Sequence, residues 1–171
     1  MARKIYNGIS LISEWMAQAA KWLIAVLIVS ICYDVFLRYI FNDSTTWSYV
    51  LSYMLGATFT AWGIGYVYRH NGNVRVDILY NRFSPKMKAV IELVFTLVFF
   101  FPLYSLIAYN FGLKTWEAYA THRIAVESIW YPVVWPYMAA ITLGFSILVL
   151  QGIANLLRDV ASLTKGGKEP W

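Results

Sequence analysis

Thiol and imidazole chemistry is nearly missing from this sequence: Cys32 is the only cysteine, and His70 and His122 the only histidines, in 171 residues. A lone thiol makes neither an intramolecular disulfide nor a Cys-x-x-Cys redox pair. A four-helix haem protein needs axial histidines inside its spans, and both histidines fall in predicted loops, which argues against a b-type cytochrome. The sequence has no phosphate-cradling glycine loop, no nucleophile elbow and no His-Glu-x-x-His zinc pattern. No catalytic residue, cofactor site or metal site is therefore expected. Charge is also scarce, at 13% of residues, while 60% are apolar or aromatic; soluble domains carry about 25% and about 45–50%.

The charges that do occur are unevenly placed. Residues 44–68, 93–113 and 128–157 contain no Asp, Glu, Lys or Arg, and residues 22–37 are interrupted only by Asp34. At about 1.5 Å per helical residue, each stretch can cross a hydrocarbon core of about 30 Å. This pattern excludes a soluble enzyme and predicts an all-α integral membrane protein with four transmembrane helices in a single membrane domain, 1–171. The spans are expected at about 17–39, 47–68, 89–113 and 132–157. Residues 1–16 form an arm before them and 158–171 a tail after them. The net charge of +5 does not indicate nucleic acid, because the basic residues lie between apolar runs and form no patch interleaved with stacking aromatics. The partner that composition does imply is the lipid bilayer.

Basic residues set the orientation. The arm together with Lys21 at the start of span one, the loop between spans two and three, and the tail hold 11 of the 14 Lys and Arg residues, and the opposite side holds Arg38, Lys114 and Arg123. The bias predicts cytoplasmic N- and C-termini and argues against dual topology. Ala17-Gln18-Ala19 precedes the first apolar stretch, so it is not the cleavage site of a signal peptide and the first span should be retained. In the arm, Ile5, Ile9, Ile12 and Met16 recur at helical spacing. They predict a short amphipathic helix lying in the interface; the plain alternative is a first span that starts early. Residues 74–83 mix apolar side chains with Arg75, Asp77 and Arg82 and should lie along the membrane surface. Ser84-Pro85 reads as a cap and first helical turn opening span three, Pro102 should kink that span, and Pro132 and Pro136 with Trp130, Tyr131, Trp135 and Tyr137 mark the outer entry of span four. No internal repeat is visible, which leaves an inverted-repeat transporter without support.

Few residues offer chemistry. Asp34 and Arg38 stand at i and i+4 within span one, where carboxylate and guanidinium can meet as an orienting ion pair; the alternative is a proton or ion relay. Glu92 lies about 6 Å along the helix from Lys88, which favours an interfacial pair over a buried coupling carboxylate. Ala57, Ala61 and Gly65 form a small-residue stripe in span two that permits close approach of another helix, within this chain or in a partner. Gln151 and Asn155 share a face of span four and can hydrogen-bond across helices. In the outer loop, Glu117, His122, Arg123 and Glu127 are candidates for docking a soluble partner, with solvated loop charge as the plain reading.

Placed on these spans, several segments resemble the small membrane subunit (DctQ-like) of the tripartite ATP-independent periplasmic, or TRAP, transporters. They are Arg38-Tyr39-Ile40-Phe41-Asn42, Trp47, Gly63-Ile64-Gly65-Tyr66, the turn Arg69-His70-Asn71-Gly72-Asn73-Val74-Arg75-Val76-Asp77-Ile78-Leu79-Tyr80, and Leu150-Gln151-Gly152. The resemblance covers most of the chain and is strongest in its middle third. The basic turn, with Arg69, Arg75 and Asp77 as an interfacial motif, is its most specific element. Family members often carry an acidic residue soon after the tryptophan that opens span two; here the chain reads Trp47-Ser48-Tyr49-Val50, so no role of that carboxylate transfers.

The resemblance implies a non-catalytic scaffold and anchor in a bacterial inner membrane. Its implied partners are a large multi-span membrane subunit that moves organic acids by an elevator motion, usually sodium-coupled, and a periplasmic solute-binding protein that delivers them. The competing expectation is a small autonomous transporter acting as an oligomer through Asp34 or Glu92. A membrane redox subunit is a third, motivated only by helix count and aromatic content.

Overall fold

The computed structural model describes residues 2–70, 85–126 and 129–164. Helix α1 is Ala2–Ile40 and α2 is Ser48–Arg69. The third span is composite: α3, Pro85–Phe95, passes through a π-helical turn, Thr96–Phe100, into α4, Phe101–Ala120. Helix α5 is Trp135–Thr164. Four stretches are long and apolar enough to cross a membrane: Tyr6–Ile40, Ser48–Arg69, Leu93–Ala120 and Trp135–Leu156. The all-helical, four-span architecture agrees with the sequence pattern.

Three elements extend beyond their expected limits. The arm is not a separate helix but the first third of α1, which continues unbroken for 39 residues, about 58 Å. No proline interrupts it, and Gly8 alone does not stop a helix whose other residues favour one. Span three runs on to Ala120, past Lys114 and Glu117, because long charged side chains at a helix end can reach the interface without ending the helix. Span four begins at Trp135, three residues after Pro132, whose carbonyl is engaged in the preceding hairpin.

Helix α5 is the axis of the bundle: α1, α2 and α4 all pack on it, and α1 also pairs with α2. Span three packs mainly on α5, and of its described residues only Ala118 is buried. Pro102 sits just after the π turn. Proline has no N–H and its ring crowds the carbonyl four residues back; the wide turn accommodates it, with the Phe101 N–H donating to the Thr96 carbonyl. At the C-terminal end of α4, His122 takes a left-handed conformation (φ 47°) and closes the helix. The Arg123 N–H returns to the Ala118 carbonyl at 3.0 Å and the His122 N–H to Tyr119 at 3.4 Å, the paired bonds of a Schellman cap. An antiparallel bridge between Ile124 and Val133 then folds the loop into a hairpin. Its Ala125 and Val134 bury against Val50 and Met54 of α2, so the hairpin lids that end of the core.

Candidate functional site

Four described charged or amide side chains in the spans, Glu14, Asp34, Arg69 and Gln151, join one segment to another. At the C-terminal end of α1, Arg38 Nη2 lies 2.7 Å from Asp34 Oδ2, the i, i+4 pair that the spacing allows. Asp34 has a further partner that spacing does not show. Asn42 adopts φ 53°, a left-handed conformation that asparagine tolerates better than other residues with a Cβ, and it turns the chain back over the helix. The turn delivers Thr45 to Asp34 Oδ1: the Thr45 N–H donates at 2.9 Å and its hydroxyl donates to the same oxygen. Stacking of Tyr33 on Trp47, with ring centroids 6.1 Å apart, continues the clamp into α2. Asp34 is 8% exposed. It therefore holds the α1–α2 connection as well as Arg38, and Thr45 is the residue missed by sequence reasoning.

The opposite end has a second tie. Arg69, at the end of α2, donates through Nη1 to the Ser10 carbonyl at 2.9 Å and pairs with Glu14. One turn away, the Ser13 hydroxyl donates to Gln151 Oε1 at 3.1 Å, and Gln151 Nε2 donates to Asn155 Oδ1 at 3.1 Å. Gln151 and Ser13 are fully buried, so α1, α2 and α5 are knotted together by amide, hydroxyl and ion pair. Glu14 and Ser13 were not singled out from the sequence. Their signal is that Ser10, Ser13 and Glu14 share one face of an apolar helix. Ile12 is 51% exposed, while Ser10 and Ser13 are buried. In a lipid bundle small and polar side chains go between helices and apolar ones face outward.

The small-residue stripe divides. Ala61 is buried against Gly144 of α5 so tightly that a Cβ on Gly144 would lie 2.7 Å from the Ala61 carbonyl oxygen. One turn on, Trp62 Nε1 donates to the Ala140 carbonyl at 2.8 Å and fixes the spacing of the two helices. Gly65 is buried but leaves open space where a Cβ would be, and Ala57 faces outward. The close approach thus joins α2 to α5 within the chain, with Gly144 as the partner that the stripe alone does not name.

The end of the bundle that carries the hairpin has Glu117 exposed on α4 and Arg123 exposed in the hairpin. A cavity of about 360 Å³ opens beside Arg123, lined also by His122, Tyr53, Tyr137 and Met138. Glu127, Arg75 and Asp77 lie outside the described residues, as do residues 74–83; the side chains of Lys88 and Glu92 are likewise not described. Among the described residues no group of three His, Cys, Asp or Glu is placed to hold a metal ion.

Residues 27–162, most of the chain, match the family model described as tripartite ATP-independent periplasmic transporters, DctQ component. No curated protein matches.

Proposed function

Because the chain belongs to the DctQ family, the small component of tripartite ATP-independent periplasmic transporters, we propose that it is a non-catalytic scaffold subunit. It stands beside a large membrane subunit that carries organic acids by sodium-coupled elevator motion, and a periplasmic binding protein delivers the solute. The bias of Lys and Arg supports a bacterial inner-membrane location with both termini in the cytoplasm. The hairpin lidded onto α2, with its exposed Arg123, and the exposed Glu117 of α4 are our candidates for docking the binding protein; Glu127 is a candidate from the sequence alone.

The observation that carries this reading is the use made of the intramembrane charges. Asp34 is bound by Arg38 and Thr45, and Arg69 by Glu14 and the Ser10 carbonyl, so these groups hold helices and loops in place. A transporter acting alone needs carboxylates that gain and lose an ion during its cycle. A static partner of a moving subunit needs a stiff frame, and ties at both ends of the bundle provide one. Co-expression with the large subunit tests the proposal: the two should co-purify in mild detergent, and Asp34→Asn should leave both the complex and its uptake measurable. Abolished uptake in an intact Asp34→Asn complex would favour the autonomous ion-coupled reading.

A further inference from the structure

We propose that the cavity beside Arg123 binds a carboxylate carried on a small apolar body, an inference that goes beyond the scaffold reading, which requires no ligand on this chain. Three elements form the cavity: the hairpin brings His122 and Arg123, α2 brings Tyr53, and α5 brings Tyr137 and Met138. Its volume of about 360 Å³ lies at the lower end of the range of about 300–1,000 Å³ typical of small-ligand sites. The frame around it is set before anything binds. The Arg123 N–H donates to the Ala118 carbonyl and the Arg123 carbonyl accepts from the Val134 N–H, both at 3.0 Å, so the base of this side chain is pinned on both sides. Tyr53, Tyr137 and Met138 pack against the buried cluster of Val50, Met54, Ala125 and Val134, and the two tyrosine rings meet edge to face with centroids 6.0 Å apart. A ligand entering a preformed site spends little free energy on ordering it.

Charge and surface select the occupant. None of the lining residues is acidic. Arg38 and Arg69 are each paired with a carboxylate, whereas Arg123 makes no ion pair among the described residues, with Glu117 or any other acid. A cationic group in a cleft with apolar walls attracts anions, because those walls focus its field. The planar guanidinium presents a fork of N–H donors that matches the two oxygens of a carboxylate, and His122 lines the same cavity as a further nitrogen donor. The rest of the lining is largely hydrocarbon, tyrosine ring and the Met138 thioether. An ion that is charged all round, such as phosphate or sulfate, would set unpaired oxygens against those groups, which is costly. A carboxylate on a short hydrocarbon body meets the cation at one end and the apolar lining at the other. A free organic acid and an acidic side chain of a protein partner both offer that chemistry.

The test is saturation-transfer NMR of the full chain in lipid nanodiscs, titrated with three probes: isobutyrate, its neutral analogue isobutyramide, and N-acetylglutamic acid amide, which carries a glutamate side chain. An acid should bind and isobutyramide should not. Arg123→Gln should weaken the binding of that acid by about fivefold or more, the loss expected for a charged hydrogen bond at a partly open site. Its melting temperature should not move, since the bonds that pin residue 123 are made by its backbone. Lys114→Gln removes the same charge from an exposed position outside the cavity and should bind as the natural sequence does. The tighter of the two acids names the source: isobutyrate for a free organic acid, N-acetylglutamic acid amide for the side chain of a protein partner. Binding of neither acid, equal binding of isobutyrate and isobutyramide, undiminished binding in Arg123→Gln, or an equal loss in Lys114→Gln overturns the proposal.

Discussion

Replacing Gly144 by alanine tests the close backbone approach of α2 and α5. The new Cβ would stand 2.7 Å from the Ala61 carbonyl oxygen, 2.8 Å from its carbonyl carbon and 3.0 Å from its Cβ. Two of these three atoms are backbone, so no rotamer change relieves the overlap. Helices α2 and α5 must instead separate by several tenths of an ångström, against the Trp62–Ala140 hydrogen bond one turn away. Overpacking of this kind costs about 1–3 kcal/mol. Alanine also regains about 1 kcal/mol of helix propensity relative to glycine, which would mask part of that cost. Gly56→Ala and Gly63→Ala isolate the propensity gain, because nothing lies within 4 Å of a Cβ at either position. In reversible unfolding of the chain in mixed micelles, Gly144→Ala should fall about 1–3 kcal/mol below the mean of those two controls. Adding Ala61→Gly should recover only a minor part, since it removes the Cβ contact and leaves the carbonyl. A Gly144→Ala protein as stable as Gly63→Ala would refute the close approach.

Three further substitutions probe the ties. Gln151→Leu removes the interhelical bond to Ser13 and the bond to Asn155 on its own helix; the interhelical bond alone should cost about 0.6 and up to about 1.7 kcal/mol in lipid, and faster hydrogen exchange in residues 6–16 of α1 should accompany it. Asp34→Asn should speed exchange at the Thr45 amide by about tenfold or more, with the α5 core unaffected; unchanged exchange would show that the carboxylate does not hold the connection. Asn42→Val places a β-branched residue at φ 53° and should destabilise by about 1–2 kcal/mol, whereas Asn42→Gly should be neutral or nearly so in the same unfolding assay.

Much of the fold follows from where charge is missing. Span two was expected at 47–68 and is Ser48–Arg69, because an uncharged run bounded by Arg69 leaves the helix little choice. The limits of spans one and three were less legible: Lys21, Lys114 and Glu117 look like boundaries in sequence, yet all three continue a helix with their charged ends reaching outward. The ties were legible only where both members lie on one helix. Asp34 with Arg38 and Gln151 with Asn155 are four residues apart and share a face. Thr45 reaches Asp34 only because Asn42 turns the chain left-handed, and Glu14 meets Arg69 across 55 residues of sequence. Periodicity gives the face a side chain occupies but not the helix that it will meet. Gly144 shows the same limit, since its partner Ala61 was found as a stripe on one helix and the matching gap lies on another.

The claim that this chain is a frame and not a carrier is tested most directly by uptake in proteoliposomes. Three preparations are compared under one sodium gradient: this chain alone, the large subunit alone, and the two together, each with the periplasmic binding protein and its radiolabelled organic acid. The account predicts background uptake by this chain alone and sodium-dependent uptake only when both membrane subunits are present. Sodium-driven accumulation by this chain alone would contradict it.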